Sequence, residues 1–282
     1  MDSAAMKKRF DRIPNLPTLP QVALKVNELL QDQNISVRIL GDTIMKDQAI
    51  VTNILRLVNS SFYGFPSKID SLSRAIMVLG FETLRNAILS VSVTQTLSKT
   101  NGSDDFSITD FWRHSIAVAV TCRQLSIRIP LEIPETCFVG GLLHDMGKVI
   151  LSCYFNNEFK QVMALYKTGM SFYEAERSLI PLDHAKIGGY LANKWHLPEC
   201  LINTITFHHE PRKDVVRSNL ISLVHASDNI VNRRMNGSDT PPLIAATSEH
   251  AKSILNLIDS APVWFGEIQS EIETAYEFFQ IG

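Results

Sequence analysis

The sequence is short of cysteine, of basic charge and of long apolar runs, and each shortage narrows what the chain can be. Its four cysteines, Cys122, Cys137, Cys153 and Cys200, lie far apart and form no CxxC pair. They read as reduced, buried thiols, not as a disulfide framework or a cysteine-built zinc site. The formal net charge is −2, without the basic surplus of a general nucleic-acid binder, so nucleic acid is not expected as a partner. The opening MDSAAMKKRF has no apolar core of a secretory leader. No uninterrupted apolar stretch approaches the ~18 residues of a membrane span. A cytoplasmic location without membrane contact is therefore expected. No run alternates apolar and polar residues long enough to argue for a sheet, and no repeat or low-complexity tract is present.

What remains reads as helix almost throughout. With 282 residues, 45% of them hydrophobic and 20% charged, the chain has ample length for a core in one large domain or two modest ones. LPQVALKVNELL places Val22, Val26 and Leu29 or Leu30 on one face. Ser36 is a good cap for SVRILGDTIM, and VTNILRLVNSSFYG closes on Gly64. SLSRAIMVLGFETLRNAILSVSVTQTL predicts one or two helices with Gly80 at the junction, and the polar stretch 98–107 is the best linker signal. Ser107 and Asp110 have the spacing of a capping box, after which Phe111, His114, Val118, Cys122 and Leu125 line one face and turn His114 inward. Gly169 suits a C-cap, Ser171–Glu174 forms a second box, and Asp183 caps the segment after it. Two helical halves are expected to meet near residue 105.

The segment GGLLHDMGKVIL sets His144–Asp145 inside an apolar run, where such groups need a partner to offset their desolvation. His114 lies 30 residues before His144, His184 lies 40 after it, and His208–His209 and Asp228 follow. Imidazoles mixed with carboxylates suit one or two divalent transition ions, Fe, Mn or Zn, better than Mg. Successive helical residues diverge by about 100°, so an HD or HH doublet can address two neighbouring ions, or hold one with the carboxylate bridging outward. Lys148 reads either as a point charge for a bound phosphate or as a solvated lysine. Asp110 reads as a cap or as a further carboxylate ligand. His196, His225 and His250 read as hydrogen-bonded structural histidines; Phe62, Tyr63, Trp112 and Trp195 read as core or inter-half packing.

His114, HDMGK at 144–148 and Asp228 resemble, in order and approximate spacing, the H…HD…D ligand pattern of HD-superfamily metal-dependent phosphohydrolases. His184 and His208–His209 resemble the extra ligands that make the HD-GYP subgroup multinuclear. The first half is similar to something narrower. LPTLPQVALKV, IMKDQAIVTNILRLVNSSFYG and SLSRAIMVLGFETLRN resemble the N-terminal signature of the HDOD family, the HD-related output domain of bacterial signalling. Asn59–Ser60, Ala75 and Leu79–Gly80 fall where that family has them. The resemblance implies an all-α, multi-helical HD-superfamily bundle with an additional N-terminal helical half. It places an HDOD domain at 13–211, split into 13–105 and an HD-like 106–211, with 212–282 completing the HD-like half.

The resemblance also implies a signalling output or interaction module with an unidentified protein partner. The alternative is a metal-dependent phosphohydrolase acting on a nucleotide or other phosphoester, with Asp145 and Lys148 in catalytic roles. Two departures bear on this choice. HDOD proteins usually lack a full ligand set, whereas this sequence keeps His114, His144, Asp145, His184, His208, His209 and Asp228. Conversely, PRKDVV follows HHE where the cyclic di-GMP phosphodiesterases carry GYP, so efficient hydrolysis of that dinucleotide is not expected. Gln48 also stands where the HDOD pattern usually shows Pro.

Overall fold

A computed structural model describes residues 2–32, 34–59, 68–100, 102–212, 214–235 and 261–281, and every regular element among them is a helix. Ser60, Phe62, Tyr63, Gly64 and His250, singled out above, lie outside the described residues. The N-terminal half contains α1 (Ser3–Asp11), α2 (Gln21–Leu29), α3 (Val37–Ile44), α4 (Gln48–Val58) and α5 (Leu72–Leu97). The rest contains α6 (Ile108–Arg128), α7 (Pro134–Leu143), α8 (Met146–Tyr154), α9 (Asn156–Tyr166) and α10 (Phe172–Leu179). It continues with α11 (His184–Lys194), α12 (Glu199–Phe207), α13 (Ser218–Met235) and α14 (Ala261–Phe279).

The punctuation follows local chemistry. Ser36, Ser107 and Asp183 accept hydrogen bonds from the backbone N–H groups of Ile39, Asp110 and Lys186, each satisfying a donor the helix itself leaves free. Ser171 and Glu174 close the full reciprocal box. Gly80, at φ 73°, breaks α5 into two helical segments, and Gly169, at φ 98°, follows the end of α9; only glycine adopts such angles without strain. One element escaped the pattern reading. The charged first residues form α1, capped by Asp2, and bury Met6 and Phe10 against the larger core.

Two apolar clusters divide the molecule, and the division falls inside α5 instead of near residue 105. Leu72, Ala75, Ile76, Leu84 and Ile88 join Val26, Leu40 and Ile54 in the N-terminal cluster; Leu89, Val93 and Leu97 join the larger cluster of the HD-like half. The reason is periodicity: the apolar positions of α5 continue unbroken past Ile88, so one helix feeds both cores. α5 is also the one helix among the described residues with the length and mean hydropathy of a membrane span, although polar residues interrupt its apolar runs throughout. In this fold it is a core helix, kinked at Gly80, with buried Asn86 bonded to Thr136.

Both chain ends lie across the seam between the halves. Trp195 Nε1 donates to Pro17 O at 2.9 Å, Tyr154 donates to Asn15 O at 2.6 Å, and Asn27 donates to His196 O at 2.5 Å. At the other end Phe278 packs with Leu57, Ala87 and Val91, under the guanidinium of Arg56. Around the HD segment, backbones touch. A Cβ on Gly147 would collide with the carbonyl of His184 and with Gly188 N, so α8 and α11 approach at backbone contact only because residue 147 has no side chain.

Gly147→Ala should therefore destabilise the fold by about 3 kcal/mol, since overpacking against backbone has nowhere to relax. Gly80→Ala, which meets open space and only a disfavoured φ, should cost about 1 kcal/mol. Thermal unfolding followed by circular dichroism checks the order, and the reverse order would contradict the close-contact account.

Candidate metal centre

The HD doublet sits where one helix ends and the next begins. His144 is the C-cap of α7 and Asp145 the N-cap of α8. The last carbonyls of a helix lack intrahelical partners, and His144 uses one: its Nδ1–H donates to Gly141 O at 2.6 Å. His208, the C-cap of α12, repeats the arrangement with Ile205 O at 2.9 Å. Because a carbonyl only accepts, each bond puts the proton on Nδ1 and turns Nε2 toward the interior. Asp145 makes no side-chain capping bond, so its carboxylate also faces inward. His184, the first residue of α11, is held by Glu176, which accepts from its Nδ1 at 2.5 Å and from its backbone N–H at 3.0 Å. A carboxylate behind a ligating imidazole fixes its tautomer and orientation. His225 donates from Nδ1 to His208 O at 2.6 Å and so braces the HH turn.

All seven residues singled out as ligands in the sequence come together, in two groups that meet at Asp145. On one side, Asp145 Oδ2 lies 3.3 Å from His144 Nε2 and 3.6 Å from His114 Nε2. Asp228 Oδ1, from α13, lies 3.0 Å from His114 Nε2 and 3.7 Å from His144 Nε2. On the other side, Asp145 Oδ1 lies 2.9 Å from His184 Nε2 and 3.6 Å from His208 Nε2. His209 Nε2 completes that group, 3.0 Å from His184 Nε2. In each of the sets His114–His144–Asp228 and Asp145–His184–His208–His209 the donor atoms lie within 4.8 Å of one another. Asp110 is in neither set; it sits exposed in the first turn of α6. His196 has a positive φ and gives its carbonyl to Asn27, a structural role.

The donor set fits metal. His114 Nε2, His144 Nε2 and Asp145 Oδ1 are buried with no hydrogen-bond partner, and buried polar atoms of this kind call for a cation or proton between them. The titration behaviour agrees. Burial opposes charge on His144, yet the Asp145 and Asp228 carboxylates outweigh it and raise its pKa to about 10. Burial is likewise outweighed at His184, by Glu176 and Asp145, which raise it to about 9. At His208 burial wins and lowers the value to about 4. Asp145 is held well below the usual range despite burial, by His144 and Lys148. The carboxylates thus collect positive charge from whatever source is present, and the buried His/Asp groups are able to hold metal.

Two residues of the site lay beyond the sequence reading. Glu176 is completely buried; its signal was a carboxylate in the apolar stripe of α10, four residues after Phe172 and next to Ala175. Tyr173 stacks on His209 with ring centroids 4.1 Å apart and donates to Glu210 at 2.9 Å. No motif distinguished it from a surface tyrosine. Lys148 is not simply solvated: its ammonium pairs with Asp145 Oδ2 at 2.5 Å.

The HDOD domain profile matches residues 16–211. The chain belongs to the HDOD family. An HDOD protein of unknown function from Geobacter sulfurreducens shares the fold at TM-score 0.73 and 24% identity, covering 95% of this chain and 97% of its own. A candidate phosphohydrolase from Shewanella amazonensis SB2B superposes at TM-score 0.76 with 21% identity, over 98% of both chains. A candidate signal-transduction protein from Marinobacter aquaeolei VT8 gives 0.73 and 18%, over 99% of this HDOD chain and 65% of that protein. At these identities the likeness shows the fold. In sequence, the HDOD chain is 28% identical over 242 residues to an uncharacterised protein of Treponema pallidum, matching 82% of itself but only 44% of that relative's length.

Since His144 and His184 hold protons at neutral pH in the metal-free site, metal uptake must expel them. Adding Mn(II) to metal-free protein at pH 7 in weak buffer should release about one to two protons per site pair. Affinity should rise as pH climbs through 9–10, the range over which those imidazoles lose their protons. Uptake without proton release, followed with a pH indicator, would contradict the charge account.

Proposed function

We propose that this chain is a bacterial HDOD signalling output module, acting in the cytoplasm, that keeps an occupied two-ion centre at its HD site. The observation that carries the reading is the placement of Asp145, whose two oxygens face two separate imidazole groups. His114, His144, Asp145 and Asp228 would hold one divalent transition ion, Fe, Mn or Zn; Asp145, His184, His208 and His209 would hold a second. Burial favours a structural or ligand-sensing role for the centre, because His144, His184 and His208 are fully enclosed. The helical surface around it then contacts a signalling protein partner.

A second reading, a metal-dependent phosphohydrolase acting on a nucleotide or other phosphoester, is favoured by one feature. Each group reaches the surface at one edge: the His114 side chain is 13% exposed and His209 is half-buried. Ions held at such an edge would supply Lewis acidity toward a phosphoester. The chain's own groups would orient the donors through Glu176 and the helix-end carbonyls, and Lys148 would add a positive charge near the opening.

Chelation tests the occupied centre. Saturating metal should stabilise wild type by a few kcal/mol through linkage, about 2.7 kcal/mol at a hundred times Kd, so its Tm should fall on adding EDTA. Asp145→Ala should keep the helical spectrum, because the core is apolar, while its Tm barely responds to chelator. Equal indifference of both proteins would reduce the HD pair to a structural couple.

Cyclic di-GMP should not be hydrolysed at enzyme-like rates of order 1 per second. In the PRKDVV segment Arg212 is engaged with Asp214 through two hydrogen bonds of 3.0 and 2.7 Å and lies over Phe207, which leaves its fork committed within its own loop. Chromatography of the linear product over a range of metals checks this.

A further inference from the structure

We infer that Lys148 is a resident cation that competes with metal for Asp145, so that metal entry drives its ammonium off the carboxylate and toward the surface. This rests on the two-ion reading above and adds a control on how that centre fills. The ammonium lies 2.5 Å from Asp145 Oδ2, the oxygen that also faces His144 and His114. An ion bonded to that oxygen at about 2 Å would sit within about 4.5 Å of the ammonium. Two cations at that separation in a buried site repel strongly, with little water to screen them. Of the two, the lysine carries the single charge and has a flexible stem on which to swing away.

Lys148 has somewhere to go. Its side chain is 21% exposed, whereas that of Asp145 is 2% exposed. The ammonium already lies 5.0 Å from the centre of the Phe172 ring, a face that receives a cation without a counter-charge. Its backbone N–H is tied to Asp145 O at 2.9 Å, so the first turn of α8 stays in place while the four-carbon stem turns. Against the cost of its burial, the carboxylates of Asp145, Asp228 and Glu176 hold the ammonium where it lies. Two divalent ions reverse that balance. The HD-to-Lys spacing, three residues and one helical turn, thus places a removable positive charge on the carboxylate that both ion positions share.

Mn(II) titration of wild type, Lys148→Met and Lys148→Arg, read from the free-ion EPR signal and by calorimetry, tests this. Lys148→Met should bind the first equivalent roughly tenfold more tightly or better, because no cation has to be displaced. Lys148→Arg keeps the charge and should stay within about threefold of wild type. A second readout needs no variant and survives any folding defect in them. Acetylation of Lys148 in the wild type by an amine-reactive ester, followed by peptide mass spectrometry, should accelerate severalfold once Mn(II) is bound. Equal or weaker binding by Lys148→Met, or acetylation that Mn(II) slows or leaves unchanged, would overturn the Lys148 role and leave the two-ion reading standing. No Mn(II) uptake by wild type would overturn both.

Discussion

A single buried carboxylate shared by two sets of imidazoles is the constraint around which this molecule is arranged. Asp145 is nearly inaccessible, with His114 and His144 toward one oxygen and His184 and His208 toward the other. Bringing that many lone pairs together in a low-dielectric interior is costly unless their directions are fixed and positive charge lies between them. Much of the HD-like half supplies those directions.

The means are ordinary helix physics used at the right places. Helix C-termini leave carbonyls without partners, and two of them orient His144 and His208. An N-cap aspartate normally spends its carboxylate on backbone N–H groups; at Asp145 that bond is absent and the carboxylate is left for the site. Glycine at 147 lets α11 approach until His184 reaches Asp145. The doublets therefore lie at helix ends, where the chain turns and one residue of each pair can face a different group.

The helical class and the seven donors could be read from the sequence because they rest on local signals: 3.6-residue periodicity, caps at Ser107, Ser171 and Asp183, and a rare mixture of His and Asp in apolar runs. What escaped depends on tertiary context. Glu176 has no motif; it is recognisable only as a charge on the wrong face of α10. The pairing of Lys148 with Asp145 lies within one helical turn, yet spacing alone does not say whether a lysine points to solvent or to its neighbour. Helix α1 was hidden because only Met6 and Phe10 of its residues are buried, too few for a periodic pattern. The seam was misplaced because a polar stretch marks where a chain is exposed, not where two cores divide.

That last point bears on how such a protein could be recombined with its relatives. A crossover within residues 98–107 looks safe by composition. It would, however, join a foreign α5 to this HD-like half and replace Leu89, Val93 and Leu97, three fully or nearly buried members of the larger core. A crossover at Gly80 keeps Leu89, Val93 and Leu97 with the larger core they fill, and cuts where the backbone already turns. Still, the fragment after Gly80 would lose the extended stretch that covers Trp195 and Tyr154. The HD-like half is thus not an exchangeable cassette: its boundary in space is drawn partly by residues that come eighty or more positions earlier in the chain.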